Sequence, residues 1–351
     1  MQAVFDGHND VLLRLWRDAG TGKDPIAEFR DSTSEGHLDL PRSHSGGLAG
    51  GLCAIFVPSG HLVLKTPNAD GHYDTPLSDT VERHQALDTV LEIAAIAFRL
   101  DRADAWKVCR STDEVRAAMD AKVFAAVLHM EGCEAIGPDL IELEIFHAAG
   151  LRSIGPVWSR HNIFGHGVPF AYPKSPDTAP GLTNAGFALV RECNRLGIAI
   201  DLSHITEQGF WDVAKTTDKP LIASHSNAHA LTPVARNLND RQLDAISESR
   251  GIVGLNFATT MLRSDGQENA GTPLSDMVRH IDYLVNRMGI DCVGLGSDFD
   301  GATIPQGICD AAGTQNLVSA LRDAGYGDSD LQKICRENWL RVLAGAWHEQ
   351  N

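Results

Sequence analysis

The sequence predicts an α/β protein folded as one (β/α)8 TIM-type barrel with extra helices at its C-terminal end. Short β-like runs alternate with longer helical patterns, the order expected of parallel strands joined by crossover helices. Eight such runs fall within about 300 residues, the ordinary size of this barrel. No Gly-rich dinucleotide fingerprint follows the first run, so a doubly wound open sheet, the competing architecture, has little support.

The first strand is expected over residues 3–6, where the apolar pair Val4-Phe5 is stopped by Asp6-Gly7. The others are expected over 48–57, 123–130, 151–157, 198–202, 221–223, 252–256 and 292–296. Between them, residues 78–100, 140–149, 184–196, 207–215, 240–249 and 273–288 carry the longer apolar spacing of helices. Residues 315–347 read as two or three more helices, with Ser329 in Gly-Asp-Ser-Asp as an N-cap. Two segments interrupt the alternation: 21–44 is polar and loop-rich, and 160–181 contains four prolines among glycines and aromatics. Long loops in a compact domain are usually functional or disordered, and neither segment is low in complexity. There is no internal repeat and no linker, so residues 1–351 are expected to form a single domain.

Composition narrows the partners. A chain of 351 residues with 43% hydrophobic content can bury a large core. Its formal charge of −16 argues against nucleic acid or an anionic membrane surface, which both require basic patches. Seven scattered cysteines without a C-x-x-C pair suggest reduced, mostly buried thiols. The N-terminus enters a strand without a signal-peptide pattern, and no apolar run approaches the roughly 20 residues of a membrane span. The expectation is a soluble cytoplasmic protein with no membrane partner.

Chemistry is concentrated at the strand ends. The first strand leads into Asp6-Gly7-His8-Asn9-Asp10, and residues two apart in a strand point to one side, so His8 and Asp10 can converge on one ion. Taken alone, this pair is a weak signal, more commonly a hydrogen bond at a strand end than a pair of ligands. Later strands run into Glu131-Gly132, Ser203-His204, Ser224-His225-Ser226 and Ser297-Asp298-Phe299-Asp300-Gly301. Singly, each histidine has bland uses, and Asp298 or Asp300 could simply form a turn before Gly301. Together, they bring several carboxylates to one barrel rim, where active sites sit and where buried acids need compensating cations. Imidazoles with carboxylates and no thiolate suit Zn²⁺, with Mn²⁺, Co²⁺ or Fe²⁺ as alternatives. Three histidines and two carboxylates exceed the ligands of one catalytic zinc and point to two ions sharing a carboxylate. Asp298 is the best-placed general base.

These motifs, in this order over essentially the whole chain, resemble the membrane (renal) dipeptidases and their bacterial relatives. The resemblance implies a metal-dependent hydrolase of the (β/α)8 type that binds two zinc ions and cleaves dipeptides with a free C-terminal carboxylate, L-D dipeptides among the candidates, through a metal-bridging hydroxide. It implies that His8 and Asp10 hold one zinc, that His204 and His225 hold the other, that Glu131 bridges them, and that Asp298 is the acid/base residue. Arg236, in Arg236-Asn237, resembles the arginine that grips the substrate carboxylate, a natural task for guanidinium. Trp158 stands where the animal enzymes have a histidine that polarises the scissile carbonyl, and an indole offers only an N–H. His161 and His166 are candidate substitutes, and Trp158, His161 and Asn256 complete the expected substrate-binding set. Homodimerisation is a further implication of the resemblance. The competing functions are a related amidohydrolase acting on a lactam, an N-acyl amino acid or a lactone, and a non-catalytic metal-stabilised binding protein.

Overall fold

The computed structural model describes residues 1–348 apart from 32, 34 and 60–64. Residues 32 and 34, within the expected 21–44 loop, therefore lie outside the described residues. Among the described residues, the eight barrel strands appear in the order read from the sequence: β1 (Val4–Asn9), β2 (Leu48–Phe56), β3 (Ala125–Glu131), β4 (Leu151–Gly155), β5 (Ala199–Ile200), β6 (Ile222–Ala223), β7 (Ile252–Asn256) and β8 (Val293–Gly296), with the short Lys107–Val108 strand parallel beside β3 and off this path. Strands β1 to β5 pair in sequence order, and so do β6 to β8. The ring closes at two seams, each through a single parallel bridge: Asp201 with Ile222 between β5 and β6, and Asn9 with Phe299 between β8 and β1.

Strands covered on both faces must be apolar on both, and β2, Leu-Ala-Gly-Gly-Leu-Cys-Ala-Ile-Phe, is buried at every position but one. Alternate residues divide between two cores. Phe5, Leu52, Ala125 and Val127 belong to the barrel interior, whereas Val4, Cys53, Ala126 and Leu128 pack outward in the main hydrophobic cluster. Trp339, from the C-terminal helix Asn338–Ala346, belongs to the interior cluster and donates its indole N–H to the Leu295 carbonyl at 2.9 Å. A Cβ on Gly7 would lie 2.3 Å from the Trp339 ring, so only glycine lets β1 pass this side chain.

Strand β1 continues through the His8 motif to Asn9, with a register irregularity between Asp6 and Asn9, rather than stopping before it. The helix expected over 78–100 spans Arg83–Arg102, and Asn184–Leu196 lies as expected. Helices Val11–Gly20 and Thr112–Asp120 were not anticipated. The polar segment 21–44 is not merely loop: it contains helices Pro25–Arg30 and Leu40–Gly46. Each is started by an aspartate, Asp24 or Asp39, whose side chain accepts a backbone N–H of the first turn, with a proline close behind. Ser329 is not an N-cap. The helix Asp328–Gln332 begins two residues earlier than that cap would place it, with Gly327 at the cap, and Asp330 Oδ2 accepts the Gly327 N–H at 3.2 Å. Within the proline-rich 160–181 segment, Ala171–Tyr172 pairs antiparallel with Tyr73–Asp74. All seven cysteines are free, and all but Cys309 are buried. Among the described residues, no helix is long and apolar enough to cross a membrane.

Candidate active site

Strand alternation delivers the first side chains to the mouth of the barrel. On β3, Ala125 and Val127 face the interior, and two further steps of two residues bring His129 and then Glu131 to the strand's C-terminal end. His8 stands on β1, while His204, His225 and Asp298 follow the ends of β5, β6 and β8. Glu131 lies among the histidines: its Oε2 is 3.6 Å from His8 Nε2, and its Oε1 is 3.0 Å from His204 Nε2 and 3.6 Å from His225 Nε2. Asp10 Oδ2 is 3.5 Å from His8 Nε2. The His8 and His225 rings stack with centroids 3.8 Å apart. None of His8, Asp10, Glu131, His204 and His225 is more than 6% exposed.

Burial governs the protonation of this cluster. It pushes His204 and His225 well below the usual histidine range, assisted by the Arg236 charge. It raises Glu131 to about 8 and also raises Asp298, to which Asp10 adds repulsion. Burial acts downward on His8 as well, but the opposing charges of Glu131, Asp10 and Asp298 lift it to about 10. Acids that resist ionisation beside His204 and His225, which resist protonation, form a set that a divalent cation would stabilise, its charge taking the place of the proton the acids favour on His8. Two observations fit such an ion: neither ring nitrogen of buried His8 has a hydrogen-bond partner, and the donor atoms fall into compact groups. His8, Asp10 and Glu131 form one group, and Glu131, His204 and His225 a second, each with ligand atoms within 4.8 Å of one another. Asp201 joins His8 and His225 in a third.

A cavity of about 540 Å³ opens over this cluster, lined by Glu131, His204 and His225 together with Phe56, Trp158, Phe170, Arg236 and Asp298. Arg236 is 4% exposed, and its Nη2 lies 3.2 Å from His204 Nε2 and donates to the His225 carbonyl at 3.3 Å, while its Nε has no partner. Asp298 has a positive φ of 58° and donates its backbone N–H to the His8 carbonyl at 3.0 Å. Its Oδ2 accepts from Asn256 Nδ2 at 2.9 Å. A Cβ on Gly301 would fall 2.2 Å from Asp10 Oδ2 and 2.3 Å from Asp298 Oδ1, so glycine is what lets these carboxylates share the rim. Asp300 also lines the cavity, but its Oδ2 is engaged by Arg14 Nε at 3.2 Å.

Trp158 is half-buried in the cavity wall, 4.8 Å from the Phe56 ring and 5.7 Å from those of Phe170 and His204. The Arg160 guanidinium sits 5.5 Å over its indole. His161 and His166 do not line the cavity. They pack against each other, centroids 4.5 Å apart, and His166 Nδ1 bonds the Gly181 carbonyl at 2.9 Å. Asn256 is fully buried behind Asp298. Sequence reasoning passed over the serines beneath the histidines, Ser159 at 2.8 Å from His204 Nδ1 and Ser224 at 2.7 Å from His225 Nδ1, although both adjoin residues it had singled out. It also passed over Arg17 and His37 in the cavity lining, which belong to no strand-end motif.

Comparisons with known proteins agree on one family. A family model described as membrane dipeptidase (peptidase family M19) matches residues 1–350. A crystal structure of a metallo peptidase from Rhodobacter sphaeroides, liganded with a phosphinate mimic of the dipeptide L-Ala-D-Ala, is 49% identical, covers 99% of each chain and superposes with a TM-score of 0.94. The crystal structure of dipeptidase AC, a metallo peptidase of family M19, is 50% identical with the same coverage and TM-score. The dipeptidase tcpJ of Claviceps purpurea is 29% identical over 343 residues, 96% of this chain and 76% of that protein.

Proposed function

Since the chain belongs to the membrane dipeptidase family, peptidase family M19, and is a metal-dependent dipeptidase, we propose that it binds two zinc ions and hydrolyses dipeptides with a free C-terminal carboxylate, L-D dipeptides included. The observation that carries this reading is the division of Glu131, one oxygen toward His8 and the other toward His204 and His225. His8 and Asp10 would hold one ion, His204 and His225 the other, and Glu131 both. When bound, such a pair acts as a Lewis acid and makes water a nucleophile at neutral pH.

The chain's own residues do the rest. Arg236, desolvated and with an unpaired Nε, offers a planar fork to the substrate carboxylate. Asp298, oriented by Asn256, takes the proton from the attacking water and returns it to the leaving amine. A carboxylate whose affinity for protons is raised by burial suits both halves of that task. Trp158, Phe56 and Phe170 wall the cavity and exclude water from the reacting bond. The seven free cysteines support a cytoplasmic location, and we read the chain as one domain that works as a homodimer.

Metal analysis of the purified protein, coupled to a panel of L-L, L-D and C-terminally amidated dipeptides, tests the proposal. The expected result is two zinc equivalents and hydrolysis confined to substrates with a free carboxylate. Equal turnover of the amidated compounds, or a single metal equivalent at full activity, overturns it.

A further inference from the structure

The two seams of the barrel are reinforced in the same way. At the β5–β6 seam, Asp201 Oδ1 accepts the Ser224 backbone N–H at 2.7 Å and Oδ2 accepts the Ser224 hydroxyl at 2.6 Å. At the β8–β1 seam, Asp6 Oδ1 accepts the Ser297 N–H at 2.7 Å and Oδ2 accepts the Ser297 hydroxyl at 2.7 Å. Each carboxylate thus clasps both donors of a serine on the neighbouring strand, where the sheet itself supplies only one bridge.

The two clasps differ in what lies beyond the serine. Asp201 also accepts the N–H and hydroxyl of Ser203, at 3.1 and 2.7 Å, so its four partners are all donors and the Ser224 proton is committed to it. Ser224 Oγ is then left only lone pairs for His225 Nδ1, 2.7 Å away, which must carry the hydrogen. His225 Nε2, the atom turned toward Glu131, is left with its lone pair free. Ser297 has no histidine ring behind it: besides Asp6, its hydroxyl meets only the His8 carbonyl and the Phe299 N–H.

We propose that Asp201 and Ser224 are positioning residues that fix His225 in its metal-binding tautomer, so that Asp201 acts on the metal through Ser224 and is not itself a ligand. This deepens the two-metal reading and rests on it. The proximity of Asp201 to His8 and His225 would otherwise suggest ligation, but three donors crowd Oδ1, and Oδ2 is engaged by the Ser224 hydroxyl at 2.6 Å. Partners behind metal-bound histidines raise ligand basicity and hold the ring, and losing one typically costs about 10–100-fold in metal affinity.

The matched seam provides the control. In chelator competition on the full-length protein, Ser224→Ala should bind zinc about 10–100-fold more weakly than wild type. Ser297→Ala, which loses the equivalent clasp, should bind zinc as wild type does, and Ser224→Thr, which keeps the hydroxyl, should restore affinity. Asp201→Asn should be worse than Ser224→Ala, because an amide N–H can occupy Ser224 Oγ and turn its proton toward His225. Nitrogen-15 spectra of histidine-labelled, metal-free protein read the tautomer whether or not zinc binds: Nδ1–H at His225 in wild type, Nε2–H in Asp201→Asn. Equal zinc loss in Ser224→Ala and Ser297→Ala, unchanged zinc binding in Ser224→Ala, or Nε2–H at wild-type His225 overturns the inference. A wild-type protein that shows the Nδ1–H tautomer but binds no zinc overturns the two-metal reading instead.

Discussion

His204 and His225 present their Nε2 atoms to each other at 3.1 Å, within a pocket where burial opposes protonation of either ring. With both rings in the Nδ1–H tautomer, two lone pairs at that distance repel unless a cation lies near both, and Glu131 Oε1 lies on the same side as a third candidate ligand. Replacing Glu131 by Gln or His204 by Ala should lower the metal content and reduce kcat on the order of 10²–10³-fold or more, the scale of losing one charge-stabilising group. Elemental analysis and dipeptide turnover on the same samples check it, and near-wild-type values in both variants would sink the ligand assignment.

Arg236 is buried deeply enough that its guanidinium is pushed down to about 10, and it stays charged at neutral pH with Asp298 and Glu131 opposing the shift. Arg236→Ala should cost about 2–5 kcal/mol in kcat/KM, the range for truncating one partner of a buried charge pair. Selectivity for the free dipeptide over its amide should fall with it. Arg236→Lys keeps the charge but loses the fork, and is expected to recover only part of the loss. A variant that still discriminates fully between acid and amide would move the carboxylate site elsewhere.

Asn256 holds Asp298 by a hydrogen bond that favours the carboxylate form. Asn256→Ala should lower kcat on the order of 10²-fold through misplacement of the proton acceptor. Because a contribution that lowers the Asp298 pKa is removed, the acidic limb of kcat/KM should move to higher pH. A pH profile with that limb unmoved would detach Asn256 from the proton-transfer step.

His280 provides a stability prediction away from the metal cluster. Burial pushes it down to about 4, and its Nδ1 accepts the Ala228 N–H at 3.3 Å while Nε2 faces the Leu262 carbonyl at 3.1 Å, an arrangement that requires the neutral ring. The unfolded chain takes up this proton near pH 6.5 and the folded one only near 4, so stability is full above pH 6.5 and falls as pH drops through that window. The loss reaches about 3 kcal/mol at the lower end. In denaturant titrations at pH 7, 6 and 5, His280→Gln should show a shallower dependence than wild type. Identical slopes would mean that the folded ring titrates normally.

The strand order, the five candidate ligands and Asp298 were legible in the amino-acid sequence as strand ends, whereas Arg236 was singled out only through the family resemblance. Parallel strands buried on both faces leave short apolar runs, and a barrel gathers their C-terminal ends on one rim, so a residue just after each run declares its place without any coordinates. Helices Pro25–Arg30 and Leu40–Gly46 were hidden because their start signals, Asp24-Pro25 and Asp39-Leu40-Pro41, sit in polar sequence without a long apolar stripe. Tertiary structure alone decided which neighbours each rim residue meets. It set Asn256 against Asp298, packed His161 onto His166 outside the cavity, and joined Asp6 to Ser297 across 291 positions and Asp201 to Ser224 across two strands. Such pairings follow from how the ring closes at its seams, and local periodicity carries no record of which strand end will stand beside which.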